Sequence, residues 1–222
     1  DDVFTTTISD PTVTDCDGGG ENTCDPEVNL LTNGSFENPE ILETDPYSWF
    51  TYDSGTPGLG WIVEWVSNIT DFDGHARPTV ASLELQRHPL GWLSKDGGQH
   101  AELDSDWTGP IGNFGNEPAS VRISQDVATH DGYNYELAFS YSARPGTPAT
   151  DNMLEYKVNG VEGTGSPIVA DGSALTQTLW NDYAYDFAGV GSSTHIEFAD
   201  VGAPDTLGTL LDDVSLKCID DG

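Results

Sequence analysis

The run Leu210-Leu211-Asp212-Asp213-Val214-Ser215-Leu216 alternates apolar and polar residues, the signature of a strand with one face in a core. Counted by twos, Asp212 falls on the side of Val214 and Leu216. A carboxylate pointing inward is costly unless it is paired, protonated or bound to a metal ion. A second stretch, Asn29-Leu30-Leu31-Thr32-Asn33-Gly34-Ser35-Phe36-Glu37, has a similar oddity, a short apolar start and a turn followed by Phe36 beside Glu37. The expectation is that these two ends meet and share a cation, closing one β domain.

Working outward, the same period of two recurs along the chain. Gly60–Val66, Ala81–Arg87, Gln99–Asp104, Ser120–Val127, Tyr133–Arg144, Asn152–Val158, Trp180–Phe187 and His195–Phe198 all read as strands. Turn signals separate them: Asp131-Gly132, Pro145-Gly146 and Asn159-Gly160. Asn38–Leu59 reads as a long loop rich in Pro and aromatics, and Ser67–Thr79 as a polar loop. Asp71-Phe72-Asp73-Gly74 starts like a calcium loop but lacks the closing Glu of an EF-hand. No segment carries a helix of ordinary length and no repeat is present. About ten strands in this pattern predict an all-β chain, an antiparallel β-sandwich of jelly-roll type.

The totals narrow the partners. The 222 residues hold 38 Asp and Glu against 7 Lys and Arg, a formal net charge of −31. Such a surface has no basic patch for phosphates, which excludes nucleic acid and disfavours anionic lipid. It suits a salty or calcium-rich setting, as in seawater or brine. No apolar run reaches the ~20 residues that span a bilayer. The start at Asp1 reads as that of a mature or excised piece. Residues 1–28 read as an acidic extension or linker, in which Asp15, Asp17 and Glu21 around Gly18–Gly20 form a solvated loop or a weak calcium site. The domain proper spans 29–218. Cys16, Cys24 and Cys218 allow one disulfide: Cys16–Cys24 is the local pairing, and Cys24–Cys218 is the rival, since the first and last strands should be neighbours.

Sorting the strands by face gives the candidate site. In the longest strand Leu137, Phe139 and Tyr141 point to the core, while Ala138, Ser140 and Ser142 make a row of small residues ending at Arg144. On the other strands Glu64, Glu84, Gln86, His100, Glu102 and Asp104 take the non-core face. Sugars present hydroxyls at their edges and C–H bonds on their ring faces. They therefore match carboxylates, amides and a guanidinium together with flat aromatics. Trp49, Tyr52, Trp92 and Trp107 are read as loop aromatics that supply the platform, and Trp61, Trp65 and Trp180 as core. The binding set is thus Arg144, Glu84, Gln86, His100, Glu102, Asp104, Trp92 and Trp107.

Four stretches carry a resemblance: Asn29-Leu30-Leu31-x-Asn33-Gly34-x-Phe36-Glu37, Gly98-Gln99-His100-Ala101-Glu102-Leu103, Phe139–Gly146 and Leu211–Leu216. In this order they resemble the galactose-binding-like jelly rolls, which include many bacterial carbohydrate-binding modules and related domains of secreted proteins. The resemblance covers roughly residues 29–217. It implies a structural calcium ion joining the first and last strands, with Glu37 and Asp212 as carboxylate ligands, Asp213 as a rival to Asp212, and backbone carbonyls completing the shell. The function expected is a non-catalytic, calcium-stabilised glycan-binding domain of a secreted or cell-surface protein, monomeric in isolation. The alternatives are a calcium-stiffened spacer of an adhesin, or a polysaccharide-degrading enzyme using a pair such as Glu84 and Glu102.

Overall fold

The computed structural model describes residues 24–111 and 115–220. The acidic residues Asp15, Asp17 and Glu21, and Cys16, lie outside the described residues. The strands in chain order are β1 (Trp49–Asp53), β2 (Ile62–Trp65), β3 (Asp71–Phe72), β4 (His75–Ala76), β5 (Ser82–Gln86), β6 (His100–Glu102) and β7 (Val121–Ala128). They continue with β8 (Asn134–Ser142), β9 (Met153–Val158), β10 (Val161–Glu162), β11 (Ile168–Val169), β12 (Asn181–Ala188), β13 (Ser193–Asp200) and β14 (Leu210–Asp220). The first sheet runs β1-β5-β6-β14-β8-β12 and the second β10-β9-β13-β7-β2, with β11 on β9. All pairings are antiparallel, and the fold is an antiparallel β-sandwich of jelly-roll type.

Each strand expected above is present, and five strands that alternation did not reveal, β1, β3, β4, β10 and β11, join them. β1 lies inside the expected loop 38–59. It is an edge strand whose residues Trp49–Tyr52 are all half-buried, so no two-residue alternation marks it. β3 and β4 form a small hairpin across Asp73-Gly74, both with positive φ, as a tight turn of this kind requires. A 3₁₀ turn over Pro89–Gly91 is the one helical element among the described residues.

The core is the ordinary one for two apposed sheets. Leu83, Leu85, Ala101, Leu137, Phe139, Leu211 and Leu216 of the first sheet meet Val63, Ile123, Leu154, Tyr156, Ile196 and Phe198 of the second. Phe139 stands at the centre, its ring 5.0 Å from both Tyr156 and Phe198. Fully burying one such side chain stabilises by about 1.5–3 kcal/mol.

The two ends meet, as expected. Leu30 N–H donates to the Leu216 carbonyl at 2.8 Å, and Val214 N–H to that of Gly34 at 2.9 Å. Asn29 clasps the same strand, its Oδ1 accepting from Leu216 N–H (3.0 Å) and its Nδ2 donating to the Val214 carbonyl (3.1 Å). A Cβ at Gly34 would sit 1.9 Å from the Val214 oxygen, so only glycine permits this approach. Of the two pairings weighed above, the disulfide formed is Cys24–Cys218.

The deciding stretch needs one correction. Asp212 pairs with Ser140 and Ser215 with Ala138, while Leu211 and Leu216 pair with the core residues Tyr141 and Leu137. The register slips between Asp212 and Ser215, where Asp213 has φ +51°. This bulge shifts the phase by one residue. Asp212 therefore points away from Val214 and Leu216, out of the sandwich. It is nonetheless 0 % exposed, because the loop 95–99 covers it.

Candidate functional site

The register places polar residues in two rows on the outer face of the first sheet. One row is Thr51, Glu84, Glu102, Leu210 and Ser142, running across β1, β5, β6, β14 and β8. The other begins Trp49, Gln86, His100. The sequence reading left this face open to solvent. In the structure, loops roof it: Glu84, Gln86, His100 and Glu102 are all at most 4 % exposed. What remains open is a pocket of about 300 Å³, lined by Ser48, Trp49, Glu84, Gln86, Pro89, Leu90, Trp92, Asp106, Arg144, Thr206 and Leu207. That volume is at the lower end for small-ligand sites.

The floor is a buried charge network. Arg144 Nη1 lies 2.5 Å from both carboxylate oxygens of Glu102, and its guanidinium sits 5.4 Å over the Trp92 ring. Glu102 Oε1 also accepts the Gly208 N–H at 3.0 Å. Gln86 Nε2 donates to Glu84 Oε1 at 2.7 Å and to Glu102 Oε2. Burial first, then the charges of Glu102 and Asp106, push the Glu84 carboxyl well above the usual carboxylate range. Asp106 is pushed up to about 8 by burial, with Glu117 and Glu102 adding to it. Burial also holds the His100 imidazole near 3, so it is neutral.

The expected binding residues separate into two groups. Arg144, Glu84, Gln86 and Trp92 line the pocket, and Glu102 lies beneath Arg144. The others are elsewhere. His100 is spent on Gln86 (3.2 Å) and Ser94 (3.0 Å) under the edge of Trp180. Asp104 accepts the N–H groups of Asp205 and Leu207 and the hydroxyl of Ser120, fixing the loop 201–209. Trp107 is no platform: it is 4 % exposed and packs edge-on against Phe72 of the β3–β4 hairpin. Glu64 lies on the second sheet beside Arg122. The row of small residues is filled rather than vacant. Ser142 accepts the Leu179 N–H at 3.0 Å, and Trp180, expected in the core, instead crosses this face and donates to the Leu93 carbonyl at 2.8 Å.

Trp49, expected as a platform aromatic from a loop, does line the pocket, but from strand β1. Asp106 is a polar pocket residue outside the expected set. Asp106 continues the alternation Glu102-x-Asp104-x-Asp106 two residues past the expected strand end, and that continuation was the available signal.

Glu37 and Asp212, the expected metal ligands, address one loop. Glu37 Oε1 accepts the N–H groups of Gly98 and Gln99, both at 2.8 Å. Asp212 accepts those of Lys95 (2.7 Å), Asp96 (3.0 Å) and Asp213 (2.7 Å). Asp213 itself is exposed. Among the described residues no group of three His, Cys, Asp or Glu side chains is placed to hold a metal ion.

No family model matches the chain, and no curated protein does. Solved carbohydrate-binding modules are similar to it. The family 61 module TmCBM61, solved in complex with β-1,4-galactotriose, is 15 % identical, with TM-score 0.41, covering 86 % of this chain and 99 % of the module. The CBM22-1 xylan-binding domain of Paenibacillus barcinonensis Xyn10C is 13 % identical, with TM-score 0.40, over 78 % of this chain and 94 % of that one. A family 35 module from Clostridium thermocellum is 12 % identical, with TM-score 0.39, over 76 % and 97 %. No described helix is long and apolar enough to cross a membrane.

Proposed function

We propose that this chain is a non-catalytic glycan-binding domain of a secreted or cell-surface protein. The observation that carries the reading is the pocket, where a guanidinium and carboxyl groups lie beside the half-buried ring of Trp49, with Trp92 buried beneath Arg144. That combination offers hydrogen bonds to hydroxyls and flat apolar surface to a sugar ring. The Glu84–Glu102 pair does not suit hydrolysis. Glu102 is fully buried and its oxygens are engaged by Arg144, Gln86 and Gly208, which leaves Glu102 unable to act as the second carboxylate of such a pair. The Cys24–Cys218 disulfide supports an oxidising compartment. The test is a glycan array followed by calorimetry. At least one oligosaccharide is expected to be retained, with Trp92→Ala weakening it tenfold or more. A silent array, or unchanged binding by the variant, overturns the reading.

A structural calcium ion belongs to the same proposal. Glu37 and Asp212 would hold it, with carbonyls of the loop 95–99, whereas the exposed Asp213 would not. Support comes from two carboxylates on opposite chain ends engaging one loop. A Cβ at Gly97 would also lie 2.3 Å from Glu37 Oε1, so the loop is shaped around that carboxylate. Chelator treatment is expected to lower the melting temperature, and calcium to restore it, with Asp212→Asn insensitive to both. Melting that ignores chelator removes calcium from the reading and leaves the glycan site untouched.

A further inference from the structure

We propose that Leu90 is a ligand-contacting residue, held at the mouth of the pocket by a strained turn, where it covers a C–H face of the bound sugar ring. This rests on the glycan-binding reading and adds to it a contact outside the expected set.

Among the described residues, nine other than glycine have a positive φ. Six of them are Asn, Asp or His, the types that adopt this conformation with least strain. The other three are Phe36, Leu90 and Thr206. Phe36 is 0 % exposed and stacks on Trp61, so core packing holds it there. Leu90 and Thr206 both line the pocket instead, from two different loops. Leu90 has φ +52° and ψ +17°, and Thr206 has φ +71°. Outliers of this kind persist only where their surroundings over-determine them, and they cluster at ligand clamps.

The turn around Leu90 is fixed by its neighbours. Pro89 is buried, Gly91 N–H donates to the His88 carbonyl at 3.0 Å, and Trp92 N–H donates to that of Pro89 at 2.9 Å. The His88 ring closes the turn, its Nδ1 lying 3.2 Å from the Trp92 carbonyl. The Leu90 side chain takes no part in this and is 86 % exposed. For the fold alone, glycine would adopt the same φ without strain. The rest of the pocket shows where the leucine fits. Of the apolar lining, Pro89 and Trp92 are buried and Trp49 and Leu207 half-buried, so Leu90 offers the most exposed apolar side chain. Glu84, Gln86 and Arg144 supply the polar part. A sugar ring whose hydroxyls reach those groups has a C–H face left for Leu90, and binding takes that leucine out of water.

The experiment compares the wild type with Leu90→Gly, Leu90→Ala, Leu90→Met and Leu93→Ala. Each is run on a glycan array, titrated by calorimetry with the oligosaccharide that the wild type retains most strongly, and melted. Leu90→Gly is expected to raise the melting temperature by about 2–4 °C, because the strain is gone, and to weaken binding at least about fivefold. Leu90→Ala keeps the strain, so it should weaken binding to the same extent without the rise. Leu90→Met keeps the apolar cover and should bind within about threefold of the wild type. Leu93 is 63 % exposed but outside the pocket lining, and Leu93→Ala is expected to change neither readout. Binding by Leu90→Gly within about twofold of the wild type overturns this inference and leaves the glycan reading standing. A loss in Leu93→Ala equal to that in Leu90→Ala overturns it as adsorption to the surface at large. Weaker binding accompanied by a lower melting temperature in both Leu90→Gly and Leu90→Ala makes the leucine structural and overturns it. A silent array for the wild type overturns both proposals.

Discussion

Replacing Arg144 with Met removes the cation over a carboxylate that is 0 % exposed. Glu102 then either stays charged and unpaired, or takes up a proton. Breaking a buried pair from one side commonly costs about 3–5 kcal/mol. Protonation caps that cost. Starting from the ordinary carboxylate value of 4.5, holding the proton at pH 7 costs at most about 3.4 kcal/mol, from about 1.4 kcal/mol per pH unit. The sign follows from linkage. The variant's Glu102 is raised in the folded state relative to the unfolded chain, so the penalty is absent below 4.5 and grows as pH rises. At pH 5 the same cap is about 0.7 kcal/mol. Burial already raises Glu102 in the wild type, so urea unfolding should show a loss of up to about 3 kcal/mol at pH 7 and under about 1 kcal/mol at pH 5. In a domain of this size, the neutral-pH loss corresponds to a melting temperature lower by about 6–12 °C. Arg144→Met/Glu102→Gln has no stranded charge and should recover most of the loss. The double variant also separates folding from binding, because it keeps the sheet while lacking the guanidinium. A loss equal at both pH values, or a double variant as unstable as the single one, would refute the reasoning.

Two further predictions concern the frame around the site. The Cys24–Cys218 bridge closes a loop with a sequence separation of 194. The chain-entropy relation puts its contribution at about 5 kcal/mol for a loop so long, so Cys24→Ser/Cys218→Ser should lose between about 2 and 5 kcal/mol in urea unfolding. A loss below about 1 kcal/mol would contradict that account. Separately, Asp200 is pushed up to about 7 and Asp106 to about 8, in both cases chiefly by burial. Groups raised on folding stabilise below their unfolded values, and that stabilisation is lost as pH rises through the folded ones. Melting temperature should therefore fall between pH 5 and pH 8.5, with a shallower slope in Asp106→Asn. A slope that is flat or rising in the wild type sinks this reading.

The strands and the core were legible because both depend on a period of two that the sequence writes openly. Leu137, Phe139 and Tyr141 alternate with smaller or polar neighbours, and all three are buried. The bulge at Asp213 was not legible. A bulge adds one residue to one strand only, and nothing in Leu211-Asp212-Asp213-Val214 distinguishes it from an unbroken strand until the register with β8 is known. The conclusion that the Asp212 carboxylate is buried was right for a reason the sequence did not contain. The bulge turns it outward, and a loop from elsewhere in the chain covers it.

The same cause explains the site. Period-two sorting identifies a residue's face, but what lies over that face depends on loops whose paths have no period. Glu84, Gln86, Glu102 and Arg144 were found together because cross-strand register converges them. Asp104 and His100 sat equally well in the pattern. They were lost to the pocket because the loop 201–209 and Ser94 claim their polar atoms. Burying a sheet face of this polarity requires each acceptor to find a donor. The amides of Asp205, Leu207 and Gly208 meet that need at Asp104 and Glu102. Glu84 and Asp106, whose carboxyls burial pushes up, line the pocket that the same loops leave open. The loop that satisfies Asp104 and Glu102 also supplies Thr206 and Leu207 to the pocket wall, so the burial of this face and the position of its opening have one origin.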